Sequence, residues 1–282
     1  MPFFEKNGCK FYYEIHGAGA PLVLLHGLCA DGYSWLPVRR ALSANFRLVI
    51  PDNRLSGRST CPPGPVSIKR LAEDLRDLLD HLGIAKTAVA GHSMGGYAAQ
   101  EFAIAFPERA EKLVLESTAA VSSNRNKALF TNLADELQSR GYTELFWKNF
   151  FPWLISPSFY DRPKVVERII KITAGYPYLP SPLNFARQVA ASYAHDTVSR
   201  LARIKARTLI LSGGCDILIT PDESRALAAA IPRAGFTLVK NAAHTIHFEQ
   251  PDLFAKTLSA FLTLPAAEPS FPRRPPMRGR TA

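Results

Sequence analysis

With 282 residues, 47% of them hydrophobic and 21% charged, the chain has the size and make-up of one large α/β domain with an insertion, or of two modest domains. No apolar stretch approaches the ~20 residues that cross a bilayer, and MPFFEKNGCK has neither the basic start nor the apolar core of a signal peptide, so a cytoplasmic protein with no membrane partner is expected. The formal charge of +10 does not indicate a nucleic-acid partner, because PAAEPSFPRRPPMRGRTA supplies four Arg against one Glu and no basic helix or aromatic-basic array occurs elsewhere.

A strand pair around Asn7-Gly8 opens the chain. Strand-like and helix-like segments then alternate: PLVLLHG before a helix near 35–44, FRLVIPD before a helix over about 66–81, and TAVAGHS before the apolar segment MGGYAAQEFAIAFP, with AEKLVLES after it. This rhythm predicts a mainly parallel sheet flanked by helices, with ligand chemistry at the carboxyl ends of the strands. Between about 119 and 200 the strand signal stops; ALFTNLADELQSR and RPKVVERIIKI read as helices, and the aromatic run LFWKNFFPWLISPSFY is too irregular for a single helical stripe. The alternation returns with ARTLILSGG, a helix over TPDESRALAAAIP, the strand GFTLVKNA and a last helix PDLFAKTLSAFL. The expected organisation is an α/β core over 1–118 and 200–264, a helical cap over 119–199, and a disordered Pro/Arg-rich tail over 265–282. Cys9, Cys29, Cys61 and Cys215 are scattered without C-x-x-C spacing, which predicts free thiols, no zinc site and no disulfide framework.

The stretch AVAGHSMGGYAAQ carries the chemistry. Ser93 falls on the corner between a buried strand and a buried helix, and Gly91 and Gly95 occupy the two places where a sharp turn leaves no room for side chains. The pattern predicts a strained serine whose hydroxyl stands above the sheet, with the amide of Met94 free at a helix N-terminus. A hydroxyl needs a base, and that base needs an acid to orient it. Asp216 follows the strand LILSGG, and His244 follows the next one, giving the order Ser93, Asp216, His244. His247 competes for the role of base, and Asp222 for that of acid, although Asp222 also suits the first turn of a helix.

Taken together, LLHGLCADGYSW, PDNRLSGRS, GHSMGG and the paired ends GGCD and AAHTIHFEQPDLF make the chain, from about Phe11 to Leu264, similar to the α/β-hydrolase-fold serine hydrolases of the capped esterase, lactonase and haloperoxidase-like branch. The resemblance implies an α/β-hydrolase fold with an inserted helical cap, an oxyanion hole formed by the amides of Leu28 and Met94, and His244 rather than His247 as base. It implies structural roles for His26 and His92, the latter pointing away from the nucleophile. Leu55 departs from the family pattern, which has glycine there, and puts the geometry of that loop in question.

The activity implied is cleavage of a small-molecule carboxylic ester or lactone through an acyl-Ser93 intermediate, with no metal or organic cofactor. Carbon–carbon bond hydrolysis, cofactor-free perhydrolase or haloperoxidase chemistry, and a hydrolase-fold receptor that binds a small ligand with little turnover remain open. Trp147, Phe151 and Trp153 are expected to roof the pocket, with Arg125, helped by Lys127, steering an acidic substrate.

Overall fold

A computed structural model describes residues 3–62, 64 and 66–265; the expected tail lies, from residue 266 on, outside the described residues. Strands β1 (Phe3–Lys6) and β2 (Cys9–His16) pair antiparallel across Asn7 and Gly8, whose φ values of 51° and 75° form the turn that right-twisted strands favour. Then follow β3 (Ala20–Leu25), a 3-10 turn (Gly32–Trp35) running into α1 (Leu36–Ser43), β4 (Phe46–Pro51), α2 (Ile68–His81), β5 (Thr87–His92), α3 (Met94–Ala105) and β6 (Ala110–Glu116). Ser67 starts α2 by accepting the Arg70 amide, a cap worth about 1 kcal/mol.

Five α-helices and a 3-10 segment (Val198–Arg203) separate β6 from β7; the helices are α4 (Asn124–Arg140), α5 (Glu144–Leu154), the single turn α6 (Pro157–Tyr160), α7 (Pro163–Ala174) and α8 (Pro182–Tyr193). The core resumes with β7 (Arg207–Gly213), α9 (Pro221–Ala230), β8 (Ala234–Val239), the turn α10 (Ile246–Glu249) and α11 (Pro251–Thr263). The described strands form one eight-stranded sheet in the order β1-β2-β4-β3-β5-β6-β7-β8, parallel from β4 to β8.

Each central strand carries an apolar run because both of its faces are covered. In β3, Val23 and Leu25 join the core under α2 and α3, while Leu22 and Leu24 join the core under α1 and α11. The chain leaves β3 for β4 on one side and returns to β5 on the other, so a crevice opens at the carboxyl ends of β3 and β5. Into that crevice project the loop after β3 and Ser93.

Two expectations change. Cys9 and Cys61 are not free thiols but a disulfide, with Cα atoms 4.2 Å apart; the antiparallel bridge between Lys10 and Thr60 sets the two residues side by side. Cys29 and Cys215 are free. The aromatic run also contains a regular stripe after all: Trp147, Phe150 and Phe151 stand on one face of α5 at i, i+3 and i+4, buried in the core of the helical insert. Trp153 falls off the stripe, and Phe159 and Tyr160 belong to α6.

Candidate active site

Ser93 joins β5 to α3 with φ 53° and ψ −118°, a conformation that costs an L-residue about 1–3 kcal/mol and persists only where its surroundings impose it. Those surroundings are visible: its N–H donates to the Glu116 carbonyl, and its own carbonyl accepts from the amides of Gly96 and Tyr97 and from the Thr118 hydroxyl. A Cβ at Gly91 would lie 2.4 Å from the Gly95 carbonyl oxygen, and one at Gly95 would lie 2.2 Å from that of Leu25. Both glycines are therefore required by backbone approaching backbone.

Asp216, 2% exposed, sits just past β7. Its Oδ1 accepts the amides of Leu218 and Ile219, both at 2.9 Å, and its Oδ2 meets His244 Nδ1 at 2.9 Å. With both carboxylate oxygens occupied in this way, His244 carries its proton on Nδ1 and leaves Nε2 as a base. The loop holding His244 is tied to the insert: the carbonyl of Leu154, at the end of α5, accepts the amides of His244 and Thr245, while Glu249 accepts those of Ala243 and Ser156. The rival acid Asp222 lies in the first turn of α9, its side chain almost wholly exposed and paired with Arg225.

The rival base has a partner of its own. His247 Nδ1 lies 2.9 Å from both oxygens of Glu116, a carboxylate 1% exposed at the end of β6. His92, expected to point away, instead packs between His244 and His247 and donates Nε2–H to the His244 carbonyl at 3.0 Å. Burial, then the neighbouring His247 and His244, hold its pKa well below the ordinary value, so it stays neutral. Among the described residues His92, Glu116 and His247 are the one group placed to hold a metal, their ligand atoms within 4.8 Å of one another. The hydrogen bonds just given already hold Glu116, His247 Nδ1 and His92 Nε2.

His26 fixes the loop after β3. The Asn53 amide donates to its Nε2 at 3.0 Å, so Nδ1 carries the proton and donates to the Gly27 carbonyl. Gln188, on α8, gathers the same region by accepting the Cys29 amide and donating to Leu55 O and Ser56 Oγ. Leu55 occupies the left-handed region, φ 65°, which the usual glycine would reach without strain. The loop geometry is thus kept, and burial of the Leu55 side chain, 6% exposed, offsets part of the cost.

Leu28 borders Ser93 in this loop, and Met94 opens α3 with an amide that has no partner inside the helix. Above them lies a cavity of about 220 Å³ lined from the core by Ser93, His244 and Leu28 and from the insert by Trp147, Phe150 and Phe151. No Asp, Glu, Lys or Arg is among its lining residues. Of the residues expected to line the pocket, Trp147 and Phe151 do; Trp153 packs against the insert's own core, and Arg125 is turned to the Leu218 carbonyl. Arg125 is therefore not placed to meet an acidic substrate. Glu116, Gln188 and Asn126 were not foreseen; of these only Glu116 left a local trace, as a carboxylate closing the apolar strand KLVLE.

Residues 22–257 match the model of the Alpha/beta hydrolase family. RutD of Azorhizobium caulinodans, a protein named for carbamate hydrolysis, is 31% identical over 93% of this chain and 98% of its own length. Among solved structures, the enol-lactonase of Burkholderia xenovorans LB400 is 30% identical with a TM-score of 0.85, over 93% of this chain and all of that one. A thermophilic esterase of Thermogutta terrifontis is 29% identical with a TM-score of 0.81, over 93% of this chain and 96% of that one. No described helix is long and apolar enough to cross a membrane.

Proposed function

The chain belongs to the alpha/beta hydrolase family, and from that premise we propose that it hydrolyses an uncharged small-molecule carboxylic ester or lactone through an acyl-Ser93 intermediate. The observation that carries this reading is the strained Ser93 facing the same cavity as His244, whose Nδ1 is held by Asp216. Ser93 Oγ attacks the carbonyl carbon while His244 Nε2 takes its proton; Asp216 stabilises the resulting imidazolium without itself being protonated. The amides of Leu28 and Met94 receive the developing oxyanion, each worth about 3 kcal/mol of barrier. The C–O bond to the leaving group then breaks, and His244 returns the proton to that oxygen. A water activated by the same histidine repeats the sequence on the acyl-enzyme, releasing the acid and restoring Ser93.

The substrate is read as uncharged because no ionised side chain lines the cavity and its walls are largely aromatic and aliphatic. A carboxylate or phosphate there would lose its hydration without gaining a partner. A carbamate is the second reading, favoured by the similarity to RutD; its carbonyl uses the same atoms. The experiment is covalent labelling with a fluorophosphonate followed by peptide mapping. Wild-type protein is expected to carry the adduct on Ser93 and folded Ser93→Ala none; an adduct elsewhere refutes the assignment.

A further inference from the structure

A second cavity, of about 30 Å³, adjoins the first at Ser93. It shares Leu28, Ser93, Phe130 and Leu218 with the large one, and adds Met94, the polar side chains of Tyr97, Ser122, Asn126, Ser192 and Tyr193, and the apolar Val189 and Ile219. His244 lines the large cavity and not this one. That asymmetry orients a substrate. The leaving oxygen must lie against His244 to receive its proton, so the leaving group extends into the large apolar cavity. With the carbonyl oxygen turned to the Leu28 and Met94 amides, the remaining substituent, the acyl side, points into the small chamber. Its volume admits about two water-sized groups, at ~15 Å³ each.

The hydrogen bonds of the chamber wall decide what kind of group. Ser122 Oγ donates to the Ser192 carbonyl, so in the Tyr97–Ser122 contact at 3.3 Å the phenol is the donor. Ser192 Oγ donates to the Gln188 carbonyl, and Tyr193 OH to that of Lys127. Asn126, 3% exposed, donates Nδ2 to the Leu218 carbonyl at 2.7 Å, while its Oδ1 has no partner. Every hydroxyl hydrogen of this wall is committed. Apart from one amide hydrogen of Asn126, and the Met94 amide assigned to the oxyanion, the capacity left is oxygen lone pairs, which call for a donor.

We infer that the acyl side of the substrate is a substituent of one or two heavy atoms bearing an O–H or N–H, as in a hydroxyacetyl or carbamoyl group, joined to a bulky apolar leaving group. This rests on the acyl-Ser93 reading and narrows it. The test compares aryl esters with one leaving group, following release of the aryl alcohol and dividing each kcat/KM by the ester's hydroxide-catalysed rate. Hydroxyacetate against propionate, and carbamate against acetate, replace a hydroxyl or amino group by methyl at equal size; hexanoate tests size. The hydroxyacetate or the carbamate is expected to exceed its methyl counterpart by about tenfold, the worth of one hydrogen bond, and hexanoate to fall at least as far below acetate; which pair responds tells the two donors apart. Asn126→Leu, or Ser122→Ala should that variant fail to fold, is expected to shrink the donor advantage. Ratios near one in both pairs, or hexanoate faster than acetate, overturn the inference while leaving acyl-Ser93 chemistry intact. Absence of all turnover together with absence of fluorophosphonate labelling removes both.

Discussion

Acidification from pH 7 to pH 5 is expected to weaken the fold, and replacing His195 by Phe is expected to remove a defined share of that loss. His195 is 3% exposed, stacks on Tyr97 with ring centroids 4.4 Å apart, and has no hydrogen-bond partner at either ring nitrogen. Burial lowers its pKa from 6.5 to about 4; Glu101, with an oxygen 3.6 Å away, works in the opposite direction, and Arg200, which grips both oxygens of Glu101, adds to the lowering. The fold therefore holds the neutral imidazole. The unfolded chain takes up a proton below pH 6.5 that the folded chain refuses until about 4, so stability is fully present above 6.5 and is lost as the pH falls. The loss grows at about 1.4 kcal/mol per pH unit, reaching about 2 kcal/mol at pH 5. His26 and His92, also buried with lowered pKa values, add to the wild-type loss, which is why the comparison is between proteins. Urea unfolding at pH 7 and pH 5 measures it: the drop in His195→Phe should be smaller than in wild type by about 2 kcal/mol. Equal drops in the two proteins would refute the argument.

His244→Ala should lower kcat on an aryl ester by three or more decades, as for triad deletions generally. His247→Ala should spare most of kcat but unfold about 3 kcal/mol more easily, because the buried Glu116 carboxylate loses its imidazole and keeps the residue-247 amide; the opposite ranking of the two rates would exchange their roles. Gln188→Leu leaves the Cys29 amide, the Leu55 carbonyl and Ser56 Oγ without their partner, and should cost about 3 kcal/mol by denaturant titration. It should also lower kcat through the adjacent Leu28; unchanged stability and rate would show that the latch is dispensable.

What the sequence reveals is what short range determines. The unbroken apolar run of β3, the Asn7-Gly8 turn and the Gly91–Gly95 pair each follow from neighbours within a few positions, and each is read correctly before any coordinates. The order of Ser93, Asp216 and His244 is legible for the same reason, since each follows a strand end. Partnerships across the chain leave no such trace. Cys9 meets Cys61 only because Lys10 and Thr60 bridge, and Glu116 meets His247 only because the end of β6 comes up against α10. The aromatic run looked irregular because Trp153 and the residues of α6 obscure a three-residue stripe on α5. Arg125 read as a pocket cation because its charge was visible and its acceptor, a carbonyl 93 residues away, was not.

The joint between Leu154 and the loop of His244 is made chiefly of main chain, one carbonyl receiving two amides, with the Thr245 hydroxyl beside them. No side-chain replacement other than proline deletes those amides. The residues of α5 that face the cavity are thus free to change in size and polarity while the roof stays hooked to the base. Such a lineage would acquire new substrates by rewriting Trp147, Phe150 or Phe151 rather than by rebuilding the hydrolytic machinery. The same division of labour marks where an engineer should cut: libraries over the stripe, with the stretch from Leu154 to Ser156 left alone.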